Sequence, residues 1–188
     1  SLISLGESKR CHPFIDSLAA MAEIDQAIRR EPWSEENRQK MIAIDSTNTA
    51  KLEALIAQYG FPTWELVGRE GSHNAWLIAQ HSHTLLPWYL TRLRQAVQEN
   101  NADSYDLAYM EDRFLMHQGQ PQIYGSQMSW RIVADDTIKG FYPIVDVEHV
   151  NERRLPAGLC PIEFISRNYL GTDSIIILKE TPLIEEKK

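Results

Sequence analysis

The stretch Asp112–Gln127, DRFLMHQGQPQIYGSQ, decides how this chain reads. Before it, Leu107, Met110, Phe114 and Leu115 recur at helical spacing; after it, Met128, Trp130 and Ile132 alternate as in a strand. Gly119 and Pro121 mark the change, because proline has no amide hydrogen to continue a helix and disfavours a helical residue before it. The reading is a helix begun at Asp103 or Ser104 and stopped at Gly119, then extended chain. The same stretch gathers Asp112, Arg113, His117, Gln118, Gln120, Gln122, Tyr124 and Gln127, more hydrogen-bonding side chains than a turn requires.

Downstream, Met128, Trp130 and Ile132 with Phe141, Pro143 and Val145 predict a β-hairpin turning at Asp135, Asp136 and Gly140. Such a hairpin is marginal unless it packs on helices. A short helix through Val150, Arg153, Arg154 and Leu155 is broken by Pro156 and Gly158, and Pro161 opens another as far as Tyr169. The apolar run Ile175–Leu178 suits a further short strand.

Upstream, helices dominate. Pro13 suits a first helical turn, and Phe14, Leu18, Met21 and Ile28 follow on one stripe that ends before Pro32. Ser34 caps a second helix, read through Met41, Leu52, Leu55 and Tyr59 to a Gly60 cap; the competing reading starts a shorter helix at Ser46 with Asp45 as its cap. Phe61–Gly71, with Pro62, Gly68 and Gly71, reads as a loop pinned by Trp64 and Leu66. Ser72 then caps a third helix that includes Gln80 and His81, and Pro87 opens a fourth through Leu90, Leu93 and Val97.

The fold class that follows is mainly α (α+β): a helical bundle of about five longer helices with a small β-hairpin and short C-terminal helices. The chain of 188 residues suits one globular domain over 1–188, with a loose lead-in at 1–11 and a solvated tail at 185–188. Hydrophobic residues at 43% and charged residues at 24% match folded proteins rather than disordered or fibrous ones. A net charge of -7 opposes sequence-independent binding to phosphate backbones, so nucleic acid is not expected as a ligand. The pairs Arg29–Arg30 and Arg153–Arg154 are too small to reverse that, and at least one is expected to be solvated or ion-paired.

No apolar run reaches the eighteen or so residues of a membrane span, which predicts a soluble protein, cytoplasmic or secreted. Cys11 and Cys160 lack the spacing of a zinc or redox motif and leave the compartment open. Ser1 in place of an initiator Met is compatible with a removed signal peptide, a longer parent chain or a cut boundary.

Chemistry enters through polar residues standing where helical spacing calls for apolar ones: Asp25, Asp45 with Asn48, His81 and Asp112. A carboxylate buried alone costs several kcal/mol, so each needs partners, a metal or a wet pocket. One reading is a polar network that fixes helix register; the other is an active centre. In the second, His81 is the proton-transfer group, since imidazole titrates near neutrality, and Asp25 or Asp112 sets its tautomer. His83 lies on another face and is expected to be exposed. Arg113 offers a planar fork for a carboxylate or phosphate, or an ion pair to Asp25 or Glu111.

Gln80, Gln122, Tyr124 and Gln127 are binding candidates, with Gln122 and Tyr124 expected on one side of a strand. A metal held by inward Asp and His residues is considered, but the ExxH signature is absent and no metal is assigned. No GxSxG, HExxH, Walker or dinucleotide motif occurs. No cofactor is assigned.

The elements Asp25–Gln26 with Arg29, Asp45 with Asn48, Gly60 with Pro62, Gln80–His81, Asp112–Arg113, Gln122–Gln127 (QIYGSQ), Pro143 with Asp146, and Arg153–Arg154 with Gly158–Leu159 run in order through most of the chain. In them the chain resembles a mainly bacterial family of domains of unknown function. The resemblance implies a mostly helical domain with a polar centre and no established reaction. The chain departs from the expected pattern at His83, where an acidic residue is expected, and at Ser126, where Thr is expected.

The leading expectation is an enzyme-like domain doing acid/base, hydrolase-type chemistry on a small polar or anionic substrate. Its catalytic residues would be His81, Asp112 and Asp25, and its binding residues Arg113, Gln80, Gln122, Tyr124, Gln127, Asp45 and Asn48. The rival is a non-catalytic module for a ligand or protein partner, of accessory, toxin or immunity type, presenting Trp64, Trp88 and Trp130.

Overall fold

The computed structural model describes residues 10–133 and 136–179, with side chains left undescribed at 130–138. The protein is mainly α-helical, with one small antiparallel hairpin. Its chain forms two compact units, Ser1–Asp103 and Ser104–Lys188. No helix among the described residues is long and apolar enough to cross a membrane.

The first unit holds α1 (His12–Arg30), α2 (Glu35–Tyr59), α3 (Trp64–Ala79) and α4 (Leu86–Gln98). Pro13 lies in the first turn of α1, and Pro87 in that of α4, where the missing amide hydrogen would have had no partner anyway. The stripe of α1 buries Phe14, Leu18 and Met21 against α2 and α3, together with Leu52 of α2 and Val67, Ala75 and Ile78 of α3. Phe14 stacks on Tyr59 at 5.6 Å, and Phe61 meets Tyr89 at 4.7 Å. Ser34 Oγ accepts the Asn37 amide as an N-cap, and Gly60 ends α2, which runs unbroken through Asp45; the shorter alternative from Ser46 does not form. None of the first ten residues of α2 is fully buried, and their exposed face carries Glu35–Arg38 and Glu36–Lys40 ion pairs.

Phe61–Gly71 is not a loop. α3 starts at Trp64, whose amide donates to the Asn101 carbonyl while the Glu65 amide donates to Asn101 Oδ1. A cap supplied from so far along the chain leaves no local mark. Gly68, with φ 75° and ψ 174°, kinks α3 instead of ending it, a conformation open to glycine and strained for side chains. Ser72 is accordingly a buried residue inside α3 rather than its cap, and His81 falls just past the helix end at Ala79.

The second unit opens with α5 (Ser104–His117), followed by β1 (Met128–Val133) and β2 (Asp136–Phe141), α6 (Val150–Arg154) and α7 (Ile162–Ile165). The strands pair antiparallel with Met128 opposite Phe141 and Val133 opposite Asp136. Asp136 and Gly140 are therefore strand residues, and Asp135 lies outside the described residues. A π-helical turn at Ser166–Leu170 extends α7, in line with the expected helix to Tyr169. Ile175–Leu178 contributes one parallel bridge, Ile177 to Phe141, in place of a strand. Phe141, Val150 and Ile162 form the buried centre on which Met128, Ile144 and Ile165 pack.

Candidate functional site

Polar residues gather at one buried aspartate in each unit. In the first, Asp25 stands on the apolar stripe of α1 with its side chain 1% exposed. Arg29, one turn later, donates Nη1 to Asp25 Oδ1 at 2.7 Å and Nη2 to Asp45 Oδ1 of α2 at 2.7 Å. Gln26 donates Nε2 to Asp25 Oδ2 at 2.7 Å, and His81 Nδ1 lies 3.2 Å from Asp25 Oδ1. Asn48, one turn beyond Asp45, is buried and donates Nδ2 to the Met21 carbonyl, tying α2 to α1. Gln80 is buried at the end of α3, and His83 is exposed.

With a proton on Nδ1 the His81 ring donates to Asp25 Oδ1 and leaves Nε2 as the atom able to accept a proton. Arg29, Asp45 and His81 keep 19%, 21% and 15% of their side chains exposed, so solvent meets the network at these three groups while Asp25 sits beneath them. Ligand-type atoms of Asp25, Asp45 and His81 lie within 4.8 Å of one another, a spacing that can surround a cation. The Arg29 guanidinium already bonds both carboxylates there.

In the second unit, Asp112 of α5 is fully buried. Its Oδ1 accepts the amides of Ile123 at 2.7 Å and Tyr124 at 3.0 Å, and its Oδ2 accepts that of Ser126 at 2.8 Å. Burial holds its carboxyl above the ordinary aspartate range, against the opposing pull of those three backbone donors. The segment Gln122–Gln127 is thus a loop wrapped on a carboxylate, not a strand. Gln122 is buried; its amide nitrogen donates to the carbonyls of Gln127 and Tyr142, and its Oε1 accepts the Gln127 amide at 2.6 Å. Gln127 in turn donates to Ser126 Oγ, and the Tyr124 hydroxyl donates to Glu111. Arg113 follows Asp112 on α5 and is half-buried.

The loop carbonyls are taken by the second of the two arginine pairs. Arg153 donates to the carbonyls of Ile123, Val145 and Asp146; Arg154, 1% exposed, donates to those of Cys160, Tyr124 and Gly125. The expectation that at least one arginine pair is solvated or ion-paired is met: Arg29 pairs with Asp25 and Asp45, and Arg153 Nη1 lies 3.9 Å from Asp146 Oδ2. Gly125, at φ 66°, brings its backbone so close that a Cβ would lie 2.5 Å from Ile144 Cδ1.

Gln26, Arg29, Arg153 and Arg154 are site residues absent from the sequence candidates. The signal for Arg29 was its place one turn after Asp25; for Arg154, no local signal separated it from a solvated arginine. Of the tryptophans, Trp64 lies under the Arg69 guanidinium at 3.6 Å, Trp88 is exposed beside Arg92, and the Trp130 side chain is outside the described residues. The exposed Trp33 was not among those expected.

Fold and geometry define a mainly α-helical protein with a carboxylate–imidazole–guanidinium cluster. The chain belongs to a family of unknown function, DUF6624, which matches residues 13–174. No curated protein and no solved structure matches it.

Proposed function

We propose that this protein is an enzyme of acid/base, hydrolase type whose proton-transfer group is His81, oriented by Asp25. The observation that supports the reading is the contact of the His81 imidazole with a carboxylate buried beneath it, at the edge where the network meets solvent. Asp25 fixes the ring and stabilises the imidazolium formed when Nε2 takes a proton from water or a substrate hydroxyl. Arg29 holds Asp25 in place through a bond of 2.7 Å, while its second nitrogen ties Asp45 into the same array. Gln80 and Asn48 flank the cluster as positioning groups, and a small polar or anionic substrate suits a site of this charge pattern.

The test is a screen of generic ester, phosphoester, nucleotide and amide substrates with the native protein, His81→Gln and Asp25→Asn. Losing a positioned general base costs about a hundredfold or more in rate, so His81→Gln should abolish turnover while the circular dichroism spectrum is kept. Nitrogen-15 NMR should find the neutral ring protonated at Nδ1. Turnover that survives His81→Gln, or a ring protonated at Nε2, overturns the assignment.

A second reading has one observation in its favour: the spacing of Asp25, Asp45 and His81 would let the three hold a divalent cation. It requires Arg29 to leave both carboxylates, which is why acid/base chemistry is preferred. Turnover that chelators abolish and Zn²⁺ or Mn²⁺ restores would decide for the metal.

A further inference from the structure

A cavity of about 330 Å³ opens in the second unit, far along the sequence from the Asp25 cluster and independent of it. Its wall includes Tyr105, Tyr109, Phe164 and Tyr169, with Arg154 and Cys160. Arg154 is the unusual member. Its Nε and Nη1 are held by three carbonyls, but Nη2 has no acceptor and no carboxylate reaches ion-pair distance among the described residues. A guanidinium buried to this depth with no carboxylate in direct contact is costly: burial pulls its proton affinity below the ordinary arginine value, and the more distant charges of Asp112 and Glu163 offset that only in part.

Four aromatic side chains share the remaining wall with Met128, Leu159, Ile165 and loop backbone. The Tyr105 and Tyr109 rings lie 4.7 Å apart, and Phe164 and Tyr169 are exposed at the rim. Burial, then hydrogen bonding with Tyr109, holds the Tyr105 phenol above its usual range, so it stays neutral. The volume falls at the small end of ligand pockets, which are mostly apolar with few polar groups to fix orientation. From this geometry we propose that the cavity binds a small aromatic carboxylate, its carboxylate on Arg154 Nη2 and its ring among Tyr105, Tyr109, Phe164 and Tyr169. The carboxylate gives Arg154 a directly bonded counter-charge through a charge-assisted bond, and the flat ring meets offset aromatic faces.

Calorimetric titration with benzoate, phenylacetate and indole-3-acetate, against benzamide and inorganic phosphate, tests the proposal on the full chain. At least one arylcarboxylate should bind, with benzamide and phosphate each weaker by about tenfold or more, the size of a lost charge-assisted bond or of lost ring burial. Cys160 is a free, exposed thiol on the cavity wall, so its alkylation by iodoacetamide should slow when the ligand is present. Arg154 also holds the loop, so its removal risks the fold; Tyr169→Ala and Phe164→Ala, both at exposed positions, should weaken binding while thermal stability stays unchanged. No binding by any arylcarboxylate, equal binding of benzamide or phosphate, or indifference to both rim variants overturns the assignment.

Discussion

Two of the buried aspartates, Asp25 and Asp112, solve the same electrostatic problem in opposite ways. Asp25 is bonded by side chains, Arg29, Gln26 and His81, which keep an edge in solvent. Asp112 is satisfied by backbone amides of Ile123, Tyr124 and Ser126, deep inside its unit. A carboxylate held by side chains can exchange partners without moving the chain, which suits chemistry. One held by amides determines where the chain goes, and Arg153 and Arg154 complete that task by taking the carbonyls of the same loop. Nearly every backbone group from Ile123 to Gln127 is thereby accounted for, as buried backbone requires.

Breaking the Asp112 network should do the most damage. Asp112→Ala strands three amides in a buried setting, and the loss should be about 3–5 kcal/mol in urea denaturation, the range for opening a buried charged network. A loss below about 1 kcal/mol would mean the amides find water and the contrast is false. Gly125→Ala comes next: a left-handed φ and a Cβ set against Ile144 and Ile162 should cost about 2–3 kcal/mol by the same measurement. Asp25→Asn sharpens the comparison from the other side. Its partners Arg29 and His81 can rehydrate at the solvent edge, so stability should fall by about 1–2 kcal/mol, less than for Asp112→Ala, while any turnover drops far more.

The smallest expected effect lies on the surface. A hydrogen bond from His149 Nδ1 to Asp146 raises the His149 pKa above the ordinary histidine value. Its contribution to stability is complete below the unfolded histidine value and disappears as pH rises through the folded one. NMR titration of His149 should show the raised midpoint, and Asp146→Asn or high salt should return it toward normal, because the pair is exposed and screened.

Helices bounded by local chemistry were legible in the sequence: Pro13, Ser34, Gly60 and Pro87 each act on the turn they occupy. α3 was not, because its cap comes from Asn101 and its two glycines look like breakers. Gly71 sits instead where a Cβ would come within 2.8 Å of Val67 Cβ, so the position demands smallness rather than a turn. In the candidate site, the burial of Asp25, Asn48 and Asp112 followed from periodicity, since a polar residue on an apolar stripe has nowhere else to point. What periodicity lacks is direction beyond the element itself. The alternation of Gln122 and Tyr124 imitated a strand because their order in the loop is set by amides reaching Asp112, a constraint from another element. Arg154 was unreadable for a related reason: its acceptors are carbonyls, which every residue carries.

The sparse burial along the first ten residues of α2 has a dynamic consequence. With ion pairs on its outer face and no fully buried residue of its own, that part of the helix can open without dragging the rest of its unit along. Amide hydrogens from Glu35 to Ile44 should exchange with deuterium early, with protection rising sharply from Asp45 onward, where Arg29 latches α2 to α1 and Asn48 and Leu52 enter the interior.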